Sequence, residues 1–208
     1  EVLVPVNKTP PVSNAGPNRI ITCEEPQIQL QGSGSTGPQY TYLWIALNGG
    51  NIVSGSATLT PTINTTGTYR LRVTNQINGC TATDNTIVSA ETAPPIVNAG
   101  GGTYTCSTPS VALTSTTNAV NPTYAWTGPS GFTSALQNPV ANVSGNYTVV
   151  VTDGNTGCTN SAVAEVIANT AVPGASTSSG VLTCVVDSVT LGGASPAPNP
   201  QFAWTGPN

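Results

Sequence analysis

Apolar and polar residues alternate along this chain in short runs, with turn-forming clusters between them. Tyr147, Val149 and Val151 share one face, and Thr148, Val150 and Thr152 the other. Tyr69, Leu71 and Val73 repeat the pattern, with Arg70 and Arg72 on the polar side. A period of two over four to eight residues is the signature of a strand with one face buried. Shorter pairs point the same way: Ile28 with Leu30, Val111 with Leu113, Val189 with Leu191, and the aromatic pairs Tyr42/Trp44, Tyr124/Trp126 and Phe202/Trp204. Closing strands are expected near residues 83–90 and 161–168, each after a hairpin at Asn78-Gly79 or Asp153-Gly154-Asn155, where residues tolerant of positive φ are needed. No segment has a helical period. About seven short strands per unit, with a Trp near the middle, predict two packed antiparallel sheets.

The same succession recurs. Cys23, Cys106 and Cys184 precede Trp44, Trp126 and Trp204 by 21, 20 and 20 residues. Tyr69 and Tyr147 each precede a Gly-Cys pair, ending at Cys80 and Cys158, by 11 residues. A period near 80 residues predicts tandem domains of one kind. The expected division is residues 1–9 as the last strand of a preceding repeat, 10–92 and 93–171 as two repeats, and 172–208 as the opening part of a third. Proline marks each joint, at Pro10-Pro11, Pro94-Pro95 and Pro173. Proline holds itself and its predecessor extended, so stiff joints and an end-to-end arrangement are expected.

Charged residues make up 6% of the chain, against about 25% in an average soluble domain. A net charge of −4 with only four basic residues argues against nucleic acid, which needs clustered Lys and Arg. No apolar run reaches the ~20 residues of a membrane-spanning helix. The five cysteines occupy repeat-related positions. With no His and no CxxC pair they do not read as a zinc site. The expected pairing lies within each repeat, Cys23 with Cys80 and Cys106 with Cys158, and leaves Cys184 for a partner outside the chain. Each such bridge would tie the end of a first strand to the beginning of a last strand and contribute roughly 4 kcal/mol. Disulfides in turn imply an oxidising compartment. Trp44, Trp126, Trp204, Tyr69 and Tyr147 are expected in the cores, because an aromatic recurring at one domain position is a packing residue before it is a sugar platform.

The run Gly145-Asn146-Tyr147-Thr148-Val149-Val150-Val151-Thr152-Asp153, followed by Gly157-Cys158-Thr159, resembles the closing motif of PKD-like and immunoglobulin-like repeats. Such repeats recur in large surface adhesins of gliding bacteria and in other proteins exported by type IX secretion. Val12-Ser13-Asn14-Ala15-Gly16 and Val97-Asn98-Ala99-Gly100 resemble the opening of the same repeats. The third unit departs from it with Gly174-Ala175-Ser176, and the first closes on Val73-Thr74-Asn75. The resemblance implies tandem immunoglobulin-like/PKD-like β-sandwiches, an extracellular or cell-surface location and a structural role. It carries no catalytic residues. Asp187-Ser188-Val189 fits the short O-glycosylation pattern of bacteria with this secretion route, which makes Ser188 a candidate modification site.

Catalysis needs convergent acids, bases or nucleophiles. One Lys, no His and eight scattered acids do not supply them. Calcium wants several carboxylates together, and Glu24-Glu25 is the single adjacent acidic pair. No metal or cofactor is therefore expected. The leading expectation is a non-catalytic stalk segment of a secreted or surface-anchored adhesin or filament. Its partners would be neighbouring repeats of the same longer protein and other copies in a filament. Two alternatives are spacer or accessory-binding domains of a secreted multidomain enzyme, and a self-assembling fibre subunit that exchanges strands.

Overall fold

The computed structural model describes residues 7–206. The chain is all-β, with two immunoglobulin-like β-sandwiches in tandem. In the first, a sheet runs in the order Arg19–Thr22, Thr81–Glu91, Gly67–Asn75, Tyr40–Leu47. Facing it are Ser13–Asn14 paired with Ser33–Gly34, and Ile28–Gln29 paired through Thr62–Ile63 to Ile52–Ser54. The second sandwich repeats the scheme. Its larger sheet runs Gly102–Thr105, Thr159–Asn169, Gly145–Thr152, Thr123–Thr127, Thr133–Ser134. Opposite lie Val97–Gly100 on Thr114–Thr117 and Val111–Ala112 on Val140–Ala141. Of the expected strand at residues 1–9, residues 1–6 lie outside the described residues, and Asn7 to Thr9 have no regular structure.

Each core is built by the alternation. Tyr69, Leu71 and Val73 point inward from one strand and pack with Ile28, Leu30, Trp44 and Ile63. Tyr147, Val149 and Val151 do the same with Leu113, Trp126, Ala141 and Val166. Trp44 and Trp126 are 2% and 1% exposed. Their indole N–H groups donate to the Thr58 and Gln137 carbonyls at 3.0 and 3.3 Å, so neither ring buries an unmatched donor. Tyr69 and Tyr147 are fully buried and donate their hydroxyls to carbonyls four residues upstream, Thr65 at 2.7 Å and Val143 at 2.8 Å. This is the tyrosine corner of immunoglobulin-like sandwiches, which fixes the crossover between sheets.

One expectation needs correction: the sheets are not wholly antiparallel. Arg19–Thr22 lies parallel to the end of Thr81–Glu91, and Gly102–Thr105 parallel to the end of Thr159–Asn169. The cause is a break in the first strand. Ser13–Asn14 belongs to one sheet and Arg19–Thr22 to the other, with Ala15-Gly16-Pro17 between them. Gly16 has φ +80° and touches the Gln31 carbonyl so closely that a side chain would not fit. The crossing is held by the last strand. Asp84 accepts from Ala15 N–H at 2.8 Å, and Thr86 donates to the Pro17 carbonyl at 2.8 Å. In the second repeat Gly101 crosses equally tightly over the Glu165 backbone.

Within residues 172–206 the described pairing is Ser176–Ser178 with Gly192–Ala194. Trp204, placed with the core by its repeat position, is 51% exposed. It lies against Gly193 beside Phe202, and no tyrosine strand of its own unit covers it among the described residues.

Candidate functional site at the joint between repeats

The parallel strand decides the cysteine pairing. Because Arg19–Thr22 runs with Thr81–Glu91, Cys23 arrives at the far end of that strand, with its Sγ 3.7 Å from the Thr92 carbonyl oxygen. Cys80 precedes the other end. An 11-residue strand at ~3.3 Å per residue separates the two by roughly 35 Å. A disulfide needs Cα atoms within about 7 Å. The expected pairing within repeats is therefore overturned. Cys23 is bonded to Cys158 of the following repeat, with Cα atoms 5.0 Å apart, and Cys80, Cys106 and Cys184 carry free thiols. The expected Cys106–Cys158 bridge fails for the same reason, since Cys106 ends a strand parallel to Thr159–Asn169 and sits by Thr170.

Cys158 is 1% exposed and is carried by the hairpin that joins Gly145–Thr152 to Thr159–Asn169. That hairpin points back at the first repeat. Glu24 N–H donates to the Thr156 carbonyl at 3.0 Å, so the residue after Cys23 is tied to the loop before Cys158. Gly157 has φ +69°, and a Cβ there would lie 2.7 Å from the Glu24 Cβ. Glycine is thus required twice, by the turn and by the close approach of the neighbouring repeat. Asn160 Nδ2 donates to the Pro95 carbonyl at 2.8 Å, which fastens the proline joint to the same hairpin.

Asp153 organises the loop. Its carboxylate accepts from Val120 N–H at 2.7 Å, Asn155 N–H at 2.9 Å and Thr156 N–H at 3.1 Å. These backbone donors, Val120 foremost, hold its pKa below the ordinary value. An open groove of about 460 Å³ runs beside the joint, lined by Glu91, Thr92, Pro94, Pro95, Asn118 and Asp153 among others. Among the described residues, no group of three or more His, Cys, Asp and Glu gathers where it could hold a metal.

Elsewhere the sequence candidates stay apart. Glu24 and Glu25 are exposed beside the joint, and Ser188 is exposed in irregular backbone. Asp84 and Asp153, two of the eight scattered acids, are structural acceptors, one for the strand crossing and one for the joint loop. The Asp–Gly signal located the second loop but not its carboxylate's role.

No family model and no curated protein matches the chain. Solved structures similar to it include the N-terminal four Ig domains of Dscam1 isoform 6.9, at 15% identity and TM-score 0.35, covering 79% of this chain and 47% of that one. Three N-terminal domains of the bacteriophage RB49 Highly Immunogenic Outer Capsid protein match at 17% identity and TM-score 0.46, covering 81% and 59%. The titin I-band fragment I67-I69 matches at 10% identity and TM-score 0.43, covering 79% and 67%. The chain spans about half the length of the Dscam1 fragment. Strand order, the tyrosine corners and the buried Trp define the fold independently of these likenesses.

Proposed function

We propose that the chain is a non-catalytic stalk segment of a secreted or surface-anchored bacterial adhesin or extracellular filament, with residues 10–92 and 93–171 as its complete repeats. Its work is to hold other domains at a distance from the cell, in line with the resemblance to repeats of type IX secretion substrates. The observation that carries this reading is the Cys23–Cys158 bond, which closes the joint between one sandwich and the next. A bond placed there adds nothing to a catalytic cleft and limits bending between repeats. It also favours an oxidising environment outside the cytosol. The low charge and Thr-rich faces agree with prolonged exposure to solvent. Antibodies raised against the chain should label intact, unpermeabilised cells of the source organism or fibres shed from them. Labelling that appears only after lysis would overturn the surface reading.

A further inference from the structure

On the larger sheet of the first repeat, the strand register sets the outward side chains in rows. Ile45, Arg70 and Asn85 stand side by side across three strands, and Leu43, Arg72 and Thr83 form the next row. Beyond them come Thr41, Thr74 and Thr81. Tyr69, Leu71 and Val73 alternate with these positions and fill the core, so both arginines point away from it. Arg72 is exposed and Arg70 half-buried. Their Cα atoms are about 7 Å apart along one strand.

The sandwich does not need this pair. In the second repeat Thr148 and Val150 hold the same places after the corner tyrosine Tyr147. Their rows, Thr127–Thr148–Val163 and Ala125–Val150–Ser161, carry no charge. The same architecture is thus built without arginine. Nor do the arginines neutralise acids of their own sheet, since their cross-strand neighbours Ile45, Asn85, Leu43 and Thr83 are uncharged. Asp84 is turned to the other side, where it accepts from Ala15 N–H. The acid that these strands turn outward is Glu91, six positions beyond Asn85 and roughly 20 Å away at the joint. Half of the four basic residues therefore share one small face of a chain with net charge −4. Two positive charges among neutral neighbours attract an anion from outside.

The neighbours indicate which kind of anion. Arg70 Nε donates to Asn85 Oδ1 at 3.0 Å. That bond orients the guanidinium and leaves its terminal nitrogens to grip a carboxylate. Thr74, Thr83 and Asn85 add hydroxyl and amide groups beside the pair, suited to the hydroxyls of a sugar. Leu43 and Ile45 are half-buried, and no aromatic side chain stands in these rows. A protein partner is ordinarily anchored by an aromatic or apolar residue fitted into a pocket. This face is a polar sheet surface without such an anchor.

We propose that the outer face of the first repeat's larger sheet binds a carboxylate-bearing polysaccharide. Arg70 and Arg72 each hold one carboxylate of the same sugar chain, and the Thr and Asn side chains take its hydroxyls. The second repeat lacks the pair and does not bind. Repeats of one architecture thus divide into a binding unit and a spacer.

The test passes the purified full chain, with its Cys23–Cys158 bond intact, over immobilised polygalacturonate at low salt. Dextran serves as the neutral polymer and polyglutamate as the acidic peptide. A chain of net charge −4 is repelled by polyanions overall, so retention reports a local site. Retention on polygalacturonate above that on polyglutamate is expected, with none on dextran. Sodium chloride at about 0.5 M, which screens exposed charges, should release the chain. Arg70→Gln and Arg72→Gln should each weaken binding about fivefold, the worth of a good exposed ion pair, and the double variant should abolish it. Lys8→Gln removes the same charge outside the sheet and should change nothing. The proposal is overturned by a chain that polygalacturonate does not retain, by equal retention on dextran or polyglutamate, by binding that survives in the double variant, or by an equal loss in Lys8→Gln. Circular dichroism of each variant separates loss of binding from loss of fold. Surface display plays no part in this experiment, so its failure and the failure of the stalk reading are distinguishable.

Discussion

Pulled from its two ends, the oxidised chain will withhold the segment between Cys23 and Cys158. The bond spans 135 positions, and at ~3.5 Å per extended residue the hidden contour is roughly 470 Å. Tension enters through the first repeat's opening strands, crosses between sulfurs whose Cα atoms lie 5.0 Å apart, and leaves along Thr159–Asn169. The strand Gly67–Asn75, the strand Gly145–Thr152 and the proline joint all lie inside the loop and bear no load. Optical-tweezers extension with and without a thiol reductant reads this directly. Without reductant, only the short segments outside the loop should be released. With reductant, or in Cys158→Ser without it, the missing length should appear. Equal extension under both conditions would refute the bridge. Two separate hidden lengths of about 200 Å and about 180 Å would refute it differently, since bridges within each repeat would shield those amounts.

Three further outcomes follow from contacts described above. Gly79→Ala should cost about 1 kcal/mol through its positive φ alone, whereas Gly157→Ala should also push Glu24 away, seen as faster reduction of Cys23–Cys158 by dithiothreitol. Trp126→Ala should lower stability in urea by about 3–5 kcal/mol, and Tyr147→Phe, which removes the buried hydroxyl's bond to the Val143 carbonyl, by about 1 kcal/mol. The Asp153 pKa is lowered from 3.8 by backbone donors in the folded loop, so its contribution is complete above that value and is lost as pH falls through the folded pKa. The Val120 amide should therefore lose protection on acidification, measured against its intrinsic exchange rate at each pH, an effect that Asp153→Asn removes; unchanged protection would show that the carboxylate does not hold the loop.

The sandwich was legible in the sequence because alternation reports burial directly. Tyr69, Leu71 and Val73 could face only one way, and the repeat carried that assignment to Tyr147, Val149 and Val151. The cysteine pairing was not legible by the same means. A period of two is the same for a strand read in either direction, so nothing in Arg19–Thr22 says whether it runs with or against Thr81–Glu91. The deciding signal lay upstream, in Ala15-Gly16-Pro17, where a glycine in the middle of a first strand lets the chain change sheets. Reading Cys23 as a strand end was correct. Which end of the last strand it meets depends on that crossing, and the crossing moves the bond from within a repeat to between two. Trp204 shows the complementary limit: a repeat position marks a side chain for burial, but burial requires the strands that cover it.

The Cys23–Cys158 bond also makes the intervening polypeptide one side of a closed covalent ring. A protease that cuts a single peptide bond anywhere between Glu24 and Gly157 opens the ring without dividing the molecule. The exposed loops around Ile77 and Leu136 fall inside this protected span. Severing the chain there takes two independent events, one hydrolytic and one reductive. In surroundings rich in peptidases and poor in thiols, the second is the rare one.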